Sequence, residues 1–442
     1  MKIRNKKNLF ILLFLGIVFL GFLLRFHNLS TWPRKGATFD EYAWTWQGMN
    51  LIQHGVPISW SPHPQYDSFH SIIYQQTHFR IVSPFLEHPP VFGIVAGGFA
   101  LLNGASDMYH LHLSQIRPLA IILGILSLTL LIMLSTELYG RKIGVFVGVL
   151  YATIPTIVIG SRIVQNENFF IPVWILILFL TARYLRSKRK WIRNIVVLLC
   201  ALLILAKIPW VAAALSIIAI FLYYKKYKDA FYIFGGVFIA FILFMLYGLF
   251  FDWDLFVNLW KLQAARYDMS FTSIYALFQK PFLVDRYYTD GWIYFGWFAT
   301  FLLFAKDLKK YIFIVAPILS YFLIFLAGIP DEAGHGWYRY PFYPFLIVSI
   351  ALFIKEYYAK NFLLTFIFLV LIGTSLFGNT WGQIFGYSVI VFRLIIASWA
   401  FILLSYLPLF KNTGKFGKVV SYSWFYIFIF MNIWSVLIYN EQ

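Results

Sequence analysis

Cysteine is nearly absent: Cys200 is the one cysteine in 442 residues. It lies inside an apolar run, so neither a disulfide framework nor a thiolate metal cluster can form, and a small core side chain is its ordinary role. Charge is scarce as well. Asp, Glu, Lys and Arg together make up 12% of the chain, against roughly 25% in a typical soluble domain. Acid is the scarcer sign, with 18 Asp and Glu against 36 Lys and Arg and a net charge of +18. The basic residues sit in short loops between apolar runs. That pattern excludes a nucleic-acid face and reads as topology signals meeting anionic lipid headgroups. Alternating segments of about 10 residues, the mark of a membrane β-barrel, are missing, as are internal repeats, low-complexity tails and a soluble domain.

What is present is grease, 61% hydrophobic and 21% aromatic residues. A helix needs about 20 apolar residues to cross a bilayer. Thirteen stretches qualify: 9–26, 117–138, 143–160, 168–184, 194–206, 209–224, 231–251, 292–305, 311–328, 341–354, 362–377, 388–410 and 420–439. The expected fold is therefore an all-α polytopic membrane protein with about 13 transmembrane helices. The stretches 194–206 and 292–305 are short, which implies local thinning or burial. The first follows Lys2, Arg4, Lys6 and Lys7 and lacks a small-x-small cleavage site, so it reads as an uncleaved anchor.

A further apolar stretch, 90–102, is only 13 residues long and contains three glycines. Counting Lys and Arg decides its place. If it does not cross and the N-terminus is cytoplasmic, 23 of the 36 basic residues are cytoplasmic. If it crosses, every later basic loop turns outward. It is expected as a juxtamembrane or re-entrant helix. Of the 18 acids, 14 then face outward. The largest outer loop is 27–116, with a helix expected near 40–54 and then irregular Pro- and His-rich chain.

Five polar elements fall on that outer side. Asp40-Glu41 offers a general base or a metal ligand, or Asp40 simply caps the helix after it. Glu87-His88-Pro89-Pro90 offers metal or phosphate ligands, or an incidental charged loop end. In Ser161-Arg162-Ile163-Val164-Gln165-Asn166-Glu167, Arg162 is an anion fork and Glu167 suits a helix start; the two could equally pair as a cap. Lys207, alone between two apolar spans, suits a lipid phosphate or snorkels. His335-Gly336-Trp337-Tyr338-Arg339-Tyr340-Pro341 brings an imidazole and another guanidinium, or forms part of an interfacial aromatic belt.

In order and side, these elements resemble the GT-C superfamily of membrane glycosyltransferases, in the branch of protein O-mannosyltransferases and the lipid A aminoarabinose transferase. The resemblance runs from residue 9 to about 354. It implies a catalytic module over 1–354 that includes the extracytoplasmic loop 27–116, with further transmembrane helices over 355–442. It implies that Asp40 is the catalytic acid, with Glu41 paired to it, and that Glu167 joins them from the Ser-Arg-x4-acid loop, where Asp is usual. It places Lys207, Arg339, Tyr340, His88 and Arg162 around the donor phosphate. It implies a divalent metal ion on Glu87 and His335, although His88 stands where the metal-using branch has Lys.

The physics agrees with that implication. A polyprenyl-phosphate sugar keeps its tail in the bilayer and its sugar at the interface. Transfer needs a base for the acceptor hydroxyl and cations for the leaving phosphate. Transfer with inversion needs no covalent enzyme intermediate. Trp44, Trp46, Trp60, Trp292 and Trp337 are candidates to stack on sugars or to anchor at the interface. The expected activity is sugar transfer from a lipid-linked donor to a lipid, glycan or protein acceptor, with no nucleic-acid partner, in the plasma (inner) membrane, with a cytoplasmic N-terminus and an extracytoplasmic site. The rival is a lipid or polysaccharide transporter or flippase. It would want polar residues at mid-bilayer and paired halves; Arg393 is the clear charge within a span, and no halves repeat.

Overall fold

The computed structural model describes residues 2–265, 272–278, 281, 283–285, 288–328, 335–378, 386, 388–406 and 414–441. Each of the thirteen expected stretches carries helix. The first is α1 (Lys2–Phe26). After the long loop come α4 (Leu113–Tyr139), α5 (Arg141–Thr153), α6 (Pro155–Gly160), α7 (Asn166–Ser187), α8 (Lys190–Ile204), α9 (Val211–Tyr223) and α10 (Tyr227–Phe251). The remaining helices are α11 (Trp253–Ala265), α12 (Thr272–Phe278), α13 (Gly291–Lys306), α14 (Ile312–Gly328), α15 (Tyr343–Glu356), α16 (Phe362–Leu376), α17 (Val389–Ala400) and α18 (Gly414–Ile438). Among the described residues six segments are long and apolar enough by themselves to cross a membrane: Asn8–Phe26, Leu113–Tyr139, Asn166–Ser187, Tyr227–Phe251, Gly336–Glu356 and Gly414–Ile438. The chain is a multi-pass membrane protein.

Three expectations change in detail. The stretch 143–160 is two helices, because Ile154 precedes Pro155 and takes an extended ψ of 122°, as the residue before proline prefers. The stretch 341–354 starts with a 3-10 segment, Gly336–Phe342, before α15. The stretch 388–410 is α17 and then the 3-10 turn Phe401–Tyr406, and residues 407–410 lie outside the described residues.

The first loop holds the helix expected near 40–54, as α2 (Asp40–His54). Beyond it the chain is not irregular but forms a small antiparallel sheet, ordered β1-β3-β2, from β1 (Ser59–Trp60), β2 (Phe69–Tyr74) and β3 (Thr77–Val82). The stretch 90–102 becomes α3 (Val91–Leu102). Its 12 residues rise about 18 Å, short of the roughly 30 Å hydrocarbon core. Instead of crossing, it lies on α2. Gly93 and Gly97, four residues apart, meet Gly48 and Met49 with no room for a Cβ, the close approach that small-xxx-small faces permit. The C-terminal helices pack on the rest through contacts such as Trp292 Nε1 donating to Asn432 Oδ1 at 2.9 Å.

Candidate active site

The site begins with the three stripes of α2. At about 100° per residue, positions i and i+4 share a face. Asp40, Trp44 and Gln47 line one stripe. Glu41 and Thr45 line the next, and Tyr42 and Trp46 the third. The cap position is Phe39, whose side chain makes no cap hydrogen bond, so Asp40 stands in the first turn rather than capping it. A carboxylate there also gains from the helix dipole.

Asp40 is half-buried. Its Oδ2 accepts from Gln165 Nε2 at 3.0 Å, and the same nitrogen donates to Thr38 Oγ1 at 3.1 Å. Trp44 Nε1 donates to Gln165 Oε1 at 3.2 Å, which fixes the amide's orientation. Trp44 also lies 4.7 Å from the His88 ring, and Gln47 Nε2 donates to the His88 carbonyl at 3.2 Å. One helix stripe thus gathers Asp40, Gln165 and His88.

Glu41 has a different fate. It is 1% exposed. Arg117 donates to both its oxygens, Nε to Oε1 at 3.2 Å and Nη2 to Oε2 at 3.0 Å, and the Val164 amide donates to Oε1 at 3.0 Å. Arg117 Nη1 in turn holds the carbonyls of Leu29 and Pro33. The pair ties the first loop, α4 and the 161–165 turn together.

Glu167 lies in the first turn of α7, fully buried, and accepts from Lys207 Nζ at 2.9 Å. Its other oxygen, Oε2, accepts no hydrogen bond from a described residue. Asn166 clamps the two loops beside it, donating to the Ala206 carbonyl at 2.9 Å and accepting from Trp210 Nε1 at 2.6 Å. The Lys207 ammonium sits over the rings of Tyr338, at 5.0 Å, and Trp210, at 5.4 Å. Burial pulls its pKa down, but Glu167, Tyr338 and Asp40 outweigh that, and the net shift is upward. Lys207 therefore lies within electrostatic reach of Asp40.

The 336–342 segment carries Tyr338 to Lys207. On it, Arg339 is buried and Nη1 donates to the Ala276 carbonyl of α12 at 3.1 Å. Tyr340 packs its ring against Gly160, where a Cβ would collide. His335 is exposed and stacks on Trp337 at 4.4 Å.

Two expected placements differ. Arg162 is fully buried and directs its donors at the carbonyls of Leu24, at 2.8 Å, and Trp32, at 3.5 Å. Burial first, and neighbouring Arg25 next, hold its pKa down at about 10. It braces the end of α1 instead of joining Lys207. Glu87 pairs with His63 Nε2, 3.3 Å from Oε2, and its Oε1 is buried without a hydrogen-bond partner among the described residues. Among the described residues no three His, Cys, Asp or Glu side chains converge, whereas catalytic zinc sites use three protein ligands. Glu87 and His63 offer two donors, and His335 is engaged with Trp337. Among the described residues no contact joins His335 to Glu87.

Trp46 and Trp292 are fully buried, core side chains rather than sugar platforms. Sequence reasoning missed Gln165, Arg117, His63 and Tyr338. Gln165 and Tyr338 lay inside motifs as unassigned positions, and Arg117 read as the edge of a span.

Residues 87–248 match the family model described as dolichyl-phosphate-mannose-protein mannosyltransferase. The fold is similar to the oligosaccharyltransferase AglB of Archaeoglobus fulgidus in complex with an inhibitory peptide and a dolichol-phosphate, at TM-score 0.55 and 12% identity over 99% of this chain. It is also similar to that organism's oligosaccharyltransferase in complex with Zn and sulfate, at TM-score 0.50 and 12% identity over 81% of this chain and 51% of the other. ArnT from Cupriavidus metallidurans aligns at TM-score 0.48 and 12% identity over 99% of this chain and 78% of its own. The chain spans 57% of the length of AglB. No curated protein matches the sequence. The family match and the fold bear out the resemblance to GT-C membrane glycosyltransferases.

Proposed function

We propose that the chain transfers a sugar from a polyprenyl-phosphate-linked donor to an acceptor hydroxyl at the extracytoplasmic face, with Asp40 as general base and inversion at the anomeric carbon. The observation that carries this reading is the pairing of two groups. Asp40 is half-buried and held by the Gln165 amide at 3.0 Å, and two residues further along the same segment Glu167 holds the buried Lys207 ammonium at 2.9 Å. A base and a phosphate cation in one site are what the transfer needs.

The acceptor hydroxyl gives its proton to Asp40 as its oxygen attacks the anomeric carbon. The bond from that carbon to the phosphate oxygen breaks, and its electron pair leaves with the polyprenyl phosphate. Lys207 takes up the developing charge, with Arg339 and Tyr340 on the adjoining segment and His88 across Trp44. Glu167 keeps Lys207 in place through the 2.9 Å contact. Glu41 positions rather than reacts, because Arg117 and the Val164 amide occupy its oxygens. Arg162 stands outside this set. The dolichol-phosphate complex of AglB supports a lipid-phosphate donor, and the asymmetry of Lys and Arg supports the outward orientation.

The test is transfer by the chain in proteoliposomes, offered a panel of polyprenyl-phosphate monosaccharides and hydroxyl acceptors, with the product's anomeric configuration read by NMR. The expected product has the inverted configuration. A retained configuration, or no transfer from any lipid-phosphate donor, overturns the proposal.

A further inference from the structure

α3 has two unlike faces and no polar side chain on either. At about 100° per residue, Phe92, Gly93, Ala96, Gly97 and Ala100 share one side, and all five are buried. This side meets Gly48 and Met49 of α2. Val91, Ile94, Val95, Gly98, Leu101 and Leu102 share the opposite arc, roughly 120° wide. None of these six is buried. Ile94 is 40% exposed and Leu102 89%. Ile52 of α2, 49% exposed, borders the arc at Gly98, where a Cβ would meet its Cδ1 at 3.5 Å. α2 itself ends on the exposed polar side chains of Gln53 and His54, so the bare apolar surface belongs to α3. A contiguous patch of this kind marks an interaction site.

Two hydrogen bonds fix where the arc lies. The Val91 amide, at the start of α3, donates to the Leu205 carbonyl at 3.0 Å, just past the end of α8. At the other end, Asn103 Nδ2 donates to the Gln115 carbonyl at 3.0 Å, in the first turn of α4. The start of α4 and the end of α8 lie on one side of the membrane, because α4, the α5–α6 pair, α7 and α8 run back and forth between them. α3 is therefore strung between two helix ends at the level where hydrocarbon gives way to headgroups. Its backbone hydrogen bonds close within the helix, which is what entry into lipid requires. Tyr109, exposed in the connection from α3 to α4, is of a type enriched at that level.

We infer that the Val91–Leu102 arc is a membrane-docking surface: α3 lies along the interface with Ile94 and Leu102 seated among the lipids of that leaflet. Continuity with the ends of α4 and α8 singles out lipid as the occupant over a second protein. An apolar face of this sort sinks about 5–10 Å into the boundary between headgroups and acyl chains. Glu87-His88-Pro89-Pro90 leads directly into α3, and Leu205 stands two residues before Lys207. Docking therefore sets His88 and Lys207 near the depth of a lipid phosphate. The docking holds whatever reaction the site performs.

Nitroxide labels at Ile94→Cys and Leu102→Cys, each in a Cys200→Ala background, would be read by power-saturation EPR on the full chain in vesicles of phosphatidylethanolamine and phosphatidylglycerol. Leu102 is so exposed that its replacement leaves the packing intact, and melting curves check both variants. Both labels are expected to collide more with oxygen, which concentrates in lipid, than with a water-soluble nickel chelate. Their depth should fall about 5–10 Å inside the headgroup boundary. More collisions with the chelate at either position overturn the docking surface. So does protection from both agents, which would mean that a second copy of the chain covers the arc.

Discussion

Asp40 and Glu41 are neighbours in sequence and occupy two different environments. Glu41 turns into the protein, meets the Arg117 guanidinium on both oxygens and takes the Val164 amide as well. Asp40 turns a hundred degrees away, to a half-buried edge where an amide holds it and a lysine lies within electrostatic reach. A carboxylate saturated by buried donors joins elements together. A carboxylate oriented by a neutral amide can still take a proton from a substrate. The difference teaches that an acid pair in a membrane enzyme can divide its labour, one member fixing the loop that presents the other.

Predictions that would break or sharpen this contrast run from large to small. Glu41→Leu leaves Arg117 buried and uncompensated, so thermal unfolding should show a loss of about 3–5 kcal/mol. Adding Arg117→Met should recover part of it. An unchanged melting temperature for the single variant would remove the structural half of the comparison. Lys207→Ala should weaken polyprenyl-phosphate binding roughly 10- to 150-fold, the worth of a hydrogen bond to a charged group; an equal Kd would detach the lysine from the phosphate. Gln165→Ala should lower kcat roughly two- to twelve-fold, as expected for one ordinary hydrogen bond, with the melting temperature nearly unchanged. The raised pKa of Lys207 has a defined sign. The ammonium persists as pH climbs through the ordinary lysine range near ~10.4, and phosphate affinity should be lost only above it. A fall in affinity centred below that range would contradict the placement of Glu167 beside it.

How much of this was legible beforehand differs between fold and site. The thirteen apolar stretches announced the helices, because burial in lipid demands continuous hydrophobicity. The break at Pro155 was also available in principle, from the bias of the residue before proline. The sheet was not. Its tight turn is Gln75-Gln76 rather than the Asn-Gly that marks hairpins, and its strands lie in a loop rich in His and Pro. At the site, the motifs showed which residue types to expect, but not which of them meet. Arg117 resembled the start of a span until its partner Glu41 came within 3.0 Å. Arg162 looked like a phosphate fork, and only the packing against Leu24 and Trp32 shows where it points. Glu87 found His63, a residue of the irregular-looking loop. Long-range pairing is tertiary information that spacing along the chain does not carry.

The most direct measurement compares Asp40→Asn with Glu41→Gln in the proteoliposome transfer assay, each variant checked for folding by its melting curve and its affinity for polyprenyl phosphate. Asp40→Asn should fold, bind the lipid phosphate and lose transfer by roughly 10²- to 10⁴-fold, the range for a general base. Glu41→Gln should lose activity only in proportion to its folded fraction. Transfer retained by folded Asp40→Asn, or lost by fully folded Glu41→Gln, would contradict the account.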